Sequence, residues 1–203
     1  MTTYTKEAQQ ALSPKEIKEI LQIGNQRFTD NLKMNRNLKL QVKETSEGQN
    51  PIAVVLGCID SRVPAETIFD QGIGDIFNAR VAGNIVNEDI LGSIEYGCKV
   101  AGSKLVLVLG HTKCGAVTSA CKHVELGNIT ALLNKIQPAV KAVIPDGSEL
   151  TQDLIESVAE KNVFLTIDRI RKESPILNEM EQNGEIIIVG GIYAVETGKV
   201  TFL

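Results

Sequence analysis

The sequence predicts an α/β fold: a mostly parallel central β-sheet flanked by helices, with a helical arm at its N-terminus. Three observations carry this reading. Three short runs are almost wholly apolar and rich in β-branched residues, as strands buried on both faces must be, and a fourth, Asp75–Val81, is partly so. Helical patterns lie between them, and that alternation builds parallel sheets with helices on their faces. A capped amphipathic segment stands ahead of all the strands, separated from them by a polar stretch.

The elements follow in order. Ser13-Pro14-Lys15-Glu16 reads as a helix start, with Ser13 as cap, Pro14 at the first helical position and Glu16 closing a capping box. Ile17, Ile20, Leu21, Ile23, Gly24 and Phe28 form its apolar stripe, so the helix runs from Ser13 to about Leu32. Asn35 to Asn50 is a polar linker with room for a short helical turn. Because the helix precedes that linker, it is expected to pack away from its own sheet, the alternative being a helix folded back on its own domain in a monomer. Ile52–Gly57 is the first strand, followed by a helical pattern over Pro64–Phe69. Asp75–Val81 is a second strand, and Glu88–Ala101 a helix. Lys104–Gly110 is a third strand, and helices are expected over Gly115–Leu126, Ile129–Val143 and Leu150–Lys172. Ile186–Gly191 is a fourth strand; a turn at Thr197-Gly198-Lys199 leads to an edge strand at Thr201–Leu203. Together these read as one domain over 1–203, with arm and linker over 1–50 and an α/β core over 51–203.

Composition narrows the function. The chain has 203 residues, 43% of them hydrophobic, enough to bury a core without disulfides. Lys plus Arg is 21 against Asp plus Glu 25, a net charge of -4, so there is no basic excess to attract nucleic acid. No apolar run is long enough to span a bilayer. The first residues carry no apolar signal core, so the cytoplasm is the default compartment. The four cysteines, at 58, 98, 114 and 121, are too few for a disulfide scaffold. Cys98 and Cys121 fall in helical apolar patterns and read as core, while His123 reads as a surface residue.

The chemistry sits where two strands end. The first runs into Gly57-Cys58-Ile59-Asp60-Ser61-Arg62, the third into Gly110-His111-Thr112-Lys113-Cys114-Gly115. Carboxyl ends of parallel strands line one crevice, where ligands bind. Cys58, His111 and Cys114 can therefore converge. Two sulfurs and one nitrogen suit zinc, and three protein ligands leave a fourth position open, as catalytic sites do. A lone His-x-x-Cys is weak as a metal signal; the combination of both clusters at strand ends is what strengthens it.

The Cys58-x-Asp60-x-Arg62 and His111-x-x-Cys114 pair resembles the two signatures of the β-class carbonic anhydrases. Asp75-Ile76-Phe77-Asn78-Ala79-Arg80-Val81-Ala82-Gly83-Asn84 resembles the segment between them. The resemblance implies reversible hydration of carbon dioxide to bicarbonate and a proton, by attack of a zinc-bound hydroxide. It implies Cys58, His111 and Cys114 as ligands of one zinc per chain, with Asp60 and Arg62 as the catalytic dyad beside it. Asp60 would orient the attacking oxygen, and Arg62 would hold Asp60. One active-site type of the family has an aspartate on the metal and a tryptophan nearby; this chain has no Trp, and Val55 stands at that place. Gln49, nine residues before Cys58, Phe77, nineteen after it, and Tyr96, fifteen before His111, resemble the substrate-pocket residues of the open type, and Gly115 joins them. The resemblance further implies a homodimer or dimer of dimers, with each pocket built across a subunit boundary. His123 and Tyr96 are both candidate proton carriers. A related zinc hydrolase acting on a small molecule such as carbon disulfide would use the same ligands.

Overall fold

A computed structural model describes residues 3–203 of the chain. Five strands form one sheet: β1 (Ala53–Gly57), β2 (Ile76–Arg80), β3 (Leu105–His111), β4 (Ile187–Tyr193) and β5 (Val200–Phe202). Their order is β2-β1-β3-β4-β5. The first four run parallel and β5 closes one edge antiparallel to β4. β1 and β3 are buried at every position, which explains why they read as unbroken apolar runs.

Side-chain alternation splits the core between the two faces. Val55, Leu105, Leu107 and Leu109 point to one face, against Ile17, Leu21, Ile68 and Phe69. Val54, Leu56, Val106 and Val108 point to the other, against Ile94, Val163, Ile167, Ile170 and Leu177. The second face is covered by α5 (Glu88–Glu95), α9 (Gln152–Glu173) and α10 (Pro175–Gln182). A third cluster gathers Val117, Ile136, Ala139, Ile155 and Val158 around Cys58 and Cys114, beyond the strand ends. It is built from α6 (Gly115–Cys121), α8 (Gln137–Val143) and the start of α9, with α7 (Gly127–Leu133) beside them.

The N-terminal arm consists of α1 (Lys6–Ala11), α2 (Pro14–Thr29) and α3 (Leu38–Glu44), ahead of the short α4 (Ala65–Ile68). The Ser13–Glu16 capping box is present as expected. The expectation that this helix packs away from its own sheet is corrected. Ile17 and Leu21 of α2 are fully buried against β1 and β3 of the same chain. Ile23, included in the stripe, instead points outward and is 57% exposed. α1 is tied down too, because buried Gln9 donates through Nε2 to the carbonyls of Pro51 at 2.7 Å and Ala101 at 2.9 Å.

Three helix boundaries also move, each for a local reason. Ile129–Val143 divides into α7 and α8 because Pro138 lies in the first turn of α8 and cannot continue a helix from before it. The Gly115–Leu126 pattern stops at Cys121, where His123 adopts φ 53°. Glu88–Ala101 is α helix only to Glu95; Tyr96–Val100 widens into a π turn. There Gly97 lies so near the sheet that a Cβ would meet Val54 Cγ2 at 2.5 Å. Among the described residues, no helix is long and apolar enough to cross a membrane.

Candidate active site

β1 and β3 are neighbours in register, with Gly57 opposite Leu109, so Cys58 and His111 leave the sheet side by side. The chain departs from β1 toward β2 on one side and from β3 toward β4 on the other. The crevice between them is thus the topological switch point, where open α/β sheets bind ligands. Cys114 completes the group from the turn before α6, a turn made possible by Lys113 at φ 52°. One ligand atom from each of Cys58, His111 and Cys114 lies within 4.8 Å of the others, and all three residues are buried.

The donor set fits zinc. His111 Nδ1 lies 2.9 Å from the Thr112 carbonyl, which fixes the ring proton on Nδ1. Its Nε2 is then left buried without a hydrogen-bond partner. A lone pair held dry beside two sulfurs is what a thiophilic cation needs. Charge points the same way. The contact with Cys114 is the largest influence on the Cys58 thiol and lowers it against burial, with His111 and the amides of Gly83 and Asp60 assisting. That contact and burial together push Cys114 far up, against the pull of the Ala116 and Val117 amides in the first turn of α6. Burial lowers the His111 imidazole, but contact with Cys58, its charge, the Thr112 carbonyl and Asp60 outweigh burial and raise it.

Asp60 and Arg62 form a two-pronged pair. Arg62 Nε donates to Oδ1 at 2.9 Å and an Nη to Oδ2 at 2.7 Å, while the Arg62 amide donates to Oδ1 at 3.0 Å. These bonds hold the Asp60 carboxyl well below the usual carboxylate range, with Arg62 the main cause. Asp60 Oδ2 lies 4.0 Å from His111 Nε2, so the free edge of the carboxylate faces the cluster.

Sequence reasoning passed over one cation. Arg80, at the carboxyl end of β2, donates to the carbonyls of Cys58 at 2.9 Å and Asp60 at 2.6 Å. It grips the backbone on both sides of Ile59. Its signal was its place, opposite Gly57 at the end of the adjacent parallel strand.

The remaining expected residues lie elsewhere. Phe77 is opposite Val54, four residues and roughly 13 Å short of Cys58 along the sheet. Tyr96 packs on it edge to face, ring centres 6.4 Å apart, and the two border a cavity of about 640 Å³ with Val54 and Asn78. Gln49 is exposed on the loop before β1, at the opposite edge of the sheet. Gly115 is exposed at the start of α6, directly after Cys114. His123 is exposed beyond the end of α6, and Cys98 and Cys121 are buried.

The likeness to known proteins runs along most of the chain. The carbonic anhydrase family profile matches residues 53–200. Carbonic anhydrase 2 of Mycobacterium tuberculosis is 33% identical over 185 residues, covering 88% of this chain and 87% of that one. Among solved structures, the β-carbonic anhydrase CcaA superposes with a TM-score of 0.73 at 25% identity, covering 93% of this chain and 90% of that one. A structure from a study of two tetrameric β-carbonic anhydrases of Sordaria macrospora shares the fold, with a TM-score of 0.71 at 23% identity over 78% of this chain and 83% of that one. A cysteine–histidine–cysteine cluster at the switch point of such a sheet, under a family match over residues 53–200, assigns the chain to the β-carbonic anhydrases.

Proposed function

We propose that the protein hydrates carbon dioxide to bicarbonate and a proton, using one zinc ion per chain held by Cys58, His111 and Cys114. The observation that carries this reading is the meeting of that buried ligand set with the Arg62-held carboxylate of Asp60. Bound there, zinc supplies the Lewis acidity that makes water a nucleophile at neutral pH. Asp60 accepts a hydrogen bond from the attacking water and aims its lone pair at the carbon. Arg62 keeps that carboxylate ionised and turned toward itself, so Asp60 would not itself ligate a zinc held by the three residues. Arg80 fixes the loop on which both sit. A reducing compartment such as the cytoplasm suits this site, because oxidising Cys58 to Cys114 would remove two ligands at once.

The substrate side of the pocket is completed by a second copy of the chain. Gln49, Phe77 and Tyr96 stand too far from their own cluster to touch a molecule bound there. Tyr96 is 58% exposed, although aromatic, and Val100 beside it is 67% exposed. In the dimer, Phe77 and Tyr96 give the partner's site an apolar wall, and the Gln49 amide donates to a substrate oxygen. Dimers of this kind can pair again, and the relatives from Sordaria macrospora are described as tetrameric.

Metal analysis beside a carbon dioxide hydration assay tests the reading. One zinc per chain and rapid hydration are expected, with metal lost in Cys58→Ser and Cys114→Ser. Full zinc content in both variants would overturn it.

A further inference from the structure

We propose that Asn162, on the far-off helix α9, is a positioning residue for the metal centre: it fixes Gly83 so that the Gly83 N–H donates to the sulfur of Cys58. The inference rests on the zinc reading above and adds a residue to it. Asn162 is 2% exposed, and its Nδ2 donates to the Gly83 carbonyl at 2.8 Å. The Gly83 amide lies 3.4 Å from Cys58 Sγ, within range for an N–H···S bond. Gly83 is thus held at both of its polar groups, its carbonyl by α9 and its amide by the metal ligand.

The conformation of Gly83 makes this arrangement specific. Its φ is 71°, and a Cβ there would meet Ile136 Cδ1 at 2.6 Å. Glycine holds that left-handed shape without strain and without a Cβ to meet Ile136, and the shape is what turns the amide into the crevice. Neither end of the link lies in the two short ligand motifs. Asn162 is 79 residues from Gly83 and sits on a mostly apolar buried face of its helix, with Val158, Ala159 and Val163 in the core. A buried amide among those residues costs stability unless it is hydrogen-bonded. Its bond is to a glycine whose other polar group reaches Cys58.

The chemical consequence concerns the sulfur. An N–H···S bond draws charge from a thiolate and stabilises it against a proton. Losing it leaves Cys58 a stronger charge donor to a bound metal, yet one more open to protonation and less well aimed. Residues that orient metal ligands in this way are commonly worth 10–100-fold in metal affinity.

The test uses the full chain loaded with cobalt(II) or cadmium-113 in place of zinc. In Asn162→Ala, the sulfur-to-cobalt charge-transfer band should move to lower energy, and chelator competition should show zinc held about tenfold more weakly. Thr166→Val, at another buried polar position one turn along α9, should shift neither. In the wild-type cadmium form, a scalar coupling between the Gly83 amide proton and the metal should be seen across the hydrogen bond. Absence of that coupling overturns the proposal even where Asn162→Ala does not fold. A folded Asn162→Ala with an unmoved band and wild-type zinc affinity also overturns it. Failure of the wild-type chain to take up one metal would instead defeat the zinc reading, so the two failures are distinguishable.

Discussion

Asp60 carries the most specific assignment at the scale of single residues. Its carboxylate is committed to Arg62 through both oxygens, and only the Oδ2 edge is turned to the ligand cluster. That geometry separates metal binding from turnover. Asp60→Asn keeps the three ligands and should retain its zinc, while carbon dioxide hydration falls by about 10–100-fold. Stopped-flow hydration beside metal analysis reads both; wild-type rates across pH in the Asp60→Asn protein would remove Asp60 from the mechanism. The meeting of Cys58, His111 and Cys114 and the pairing of Asp60 with Arg62 were legible because each strand ended in its own dense cluster of polar residues. Arg80, Gly83 and Asn162 were not legible as site residues, for a physical reason. They act through backbone groups or on a sulfur from a backbone amide, and such bonds leave no side-chain pattern in the sequence.

Among the elements, the strands were read within a residue or two, most directly β1 and β3, where burial on both faces imposes an unbroken apolar run. Helix ends were harder. α1 and α10 were not seen, although Thr5 and Ser174 cap them, because each is too short for a helical period to stand out. The arm's packing was missed because the stripe on α2 shows that a face is buried but not against what. One cluster now explains how the arm is fastened. Asp70, its side chain 2% exposed, accepts from Arg27 Nε of α2 at 2.5 Å and from the Met34 amide at 3.2 Å, and also pairs with Arg36. Burial alone would raise the Asp70 carboxyl, but the two arginines and that amide outweigh it and lower it. A carboxyl lowered on folding stabilises the protein above its unfolded pKa, and that stability is lost as pH falls toward the folded value. Asp70→Asn should therefore cost about 3 kcal/mol at neutral pH, leaving Arg36 without its charge partner. Asn also tolerates the φ of 47° at this position, so the loss reports the charge rather than the backbone. Urea unfolding should show the gap between the two proteins narrowing below about pH 4. A gap that stays constant down to about pH 2, below the usual carboxylate range, would assign it to something other than the ion pairs.

For the whole molecule, the proposed dimer makes a demand that single-chain geometry cannot meet. Deleting the residues before Asn35 would not isolate the interface, since it would strip Ile17 and Leu21 from the chain's own core and unfold it. Mixing two inactive variants isolates it instead. Cys58→Ser chains lose the metal but keep Gln49, Phe77 and Tyr96. Chains carrying Gln49→Ala with Tyr96→Ala keep the metal but spoil the wall they lend to a partner. If each pocket joins the metal of one chain to the wall of the other, a two-fold heterodimer contains one wholly intact site and one doubly damaged site. Unfolding and refolding the two together in equal amounts makes half the dimers mixed, so activity should return to about one quarter of wild type. If each pocket belongs to a single chain, every site in every dimer carries damage, and the mixture stays as inactive as its parts. Light scattering on the same samples separates that outcome from a failure to associate. A fully active monomer at micromolar concentration would remove the shared pocket altogether, and would require Phe77 and Tyr96 to be explained as packing for α5 alone.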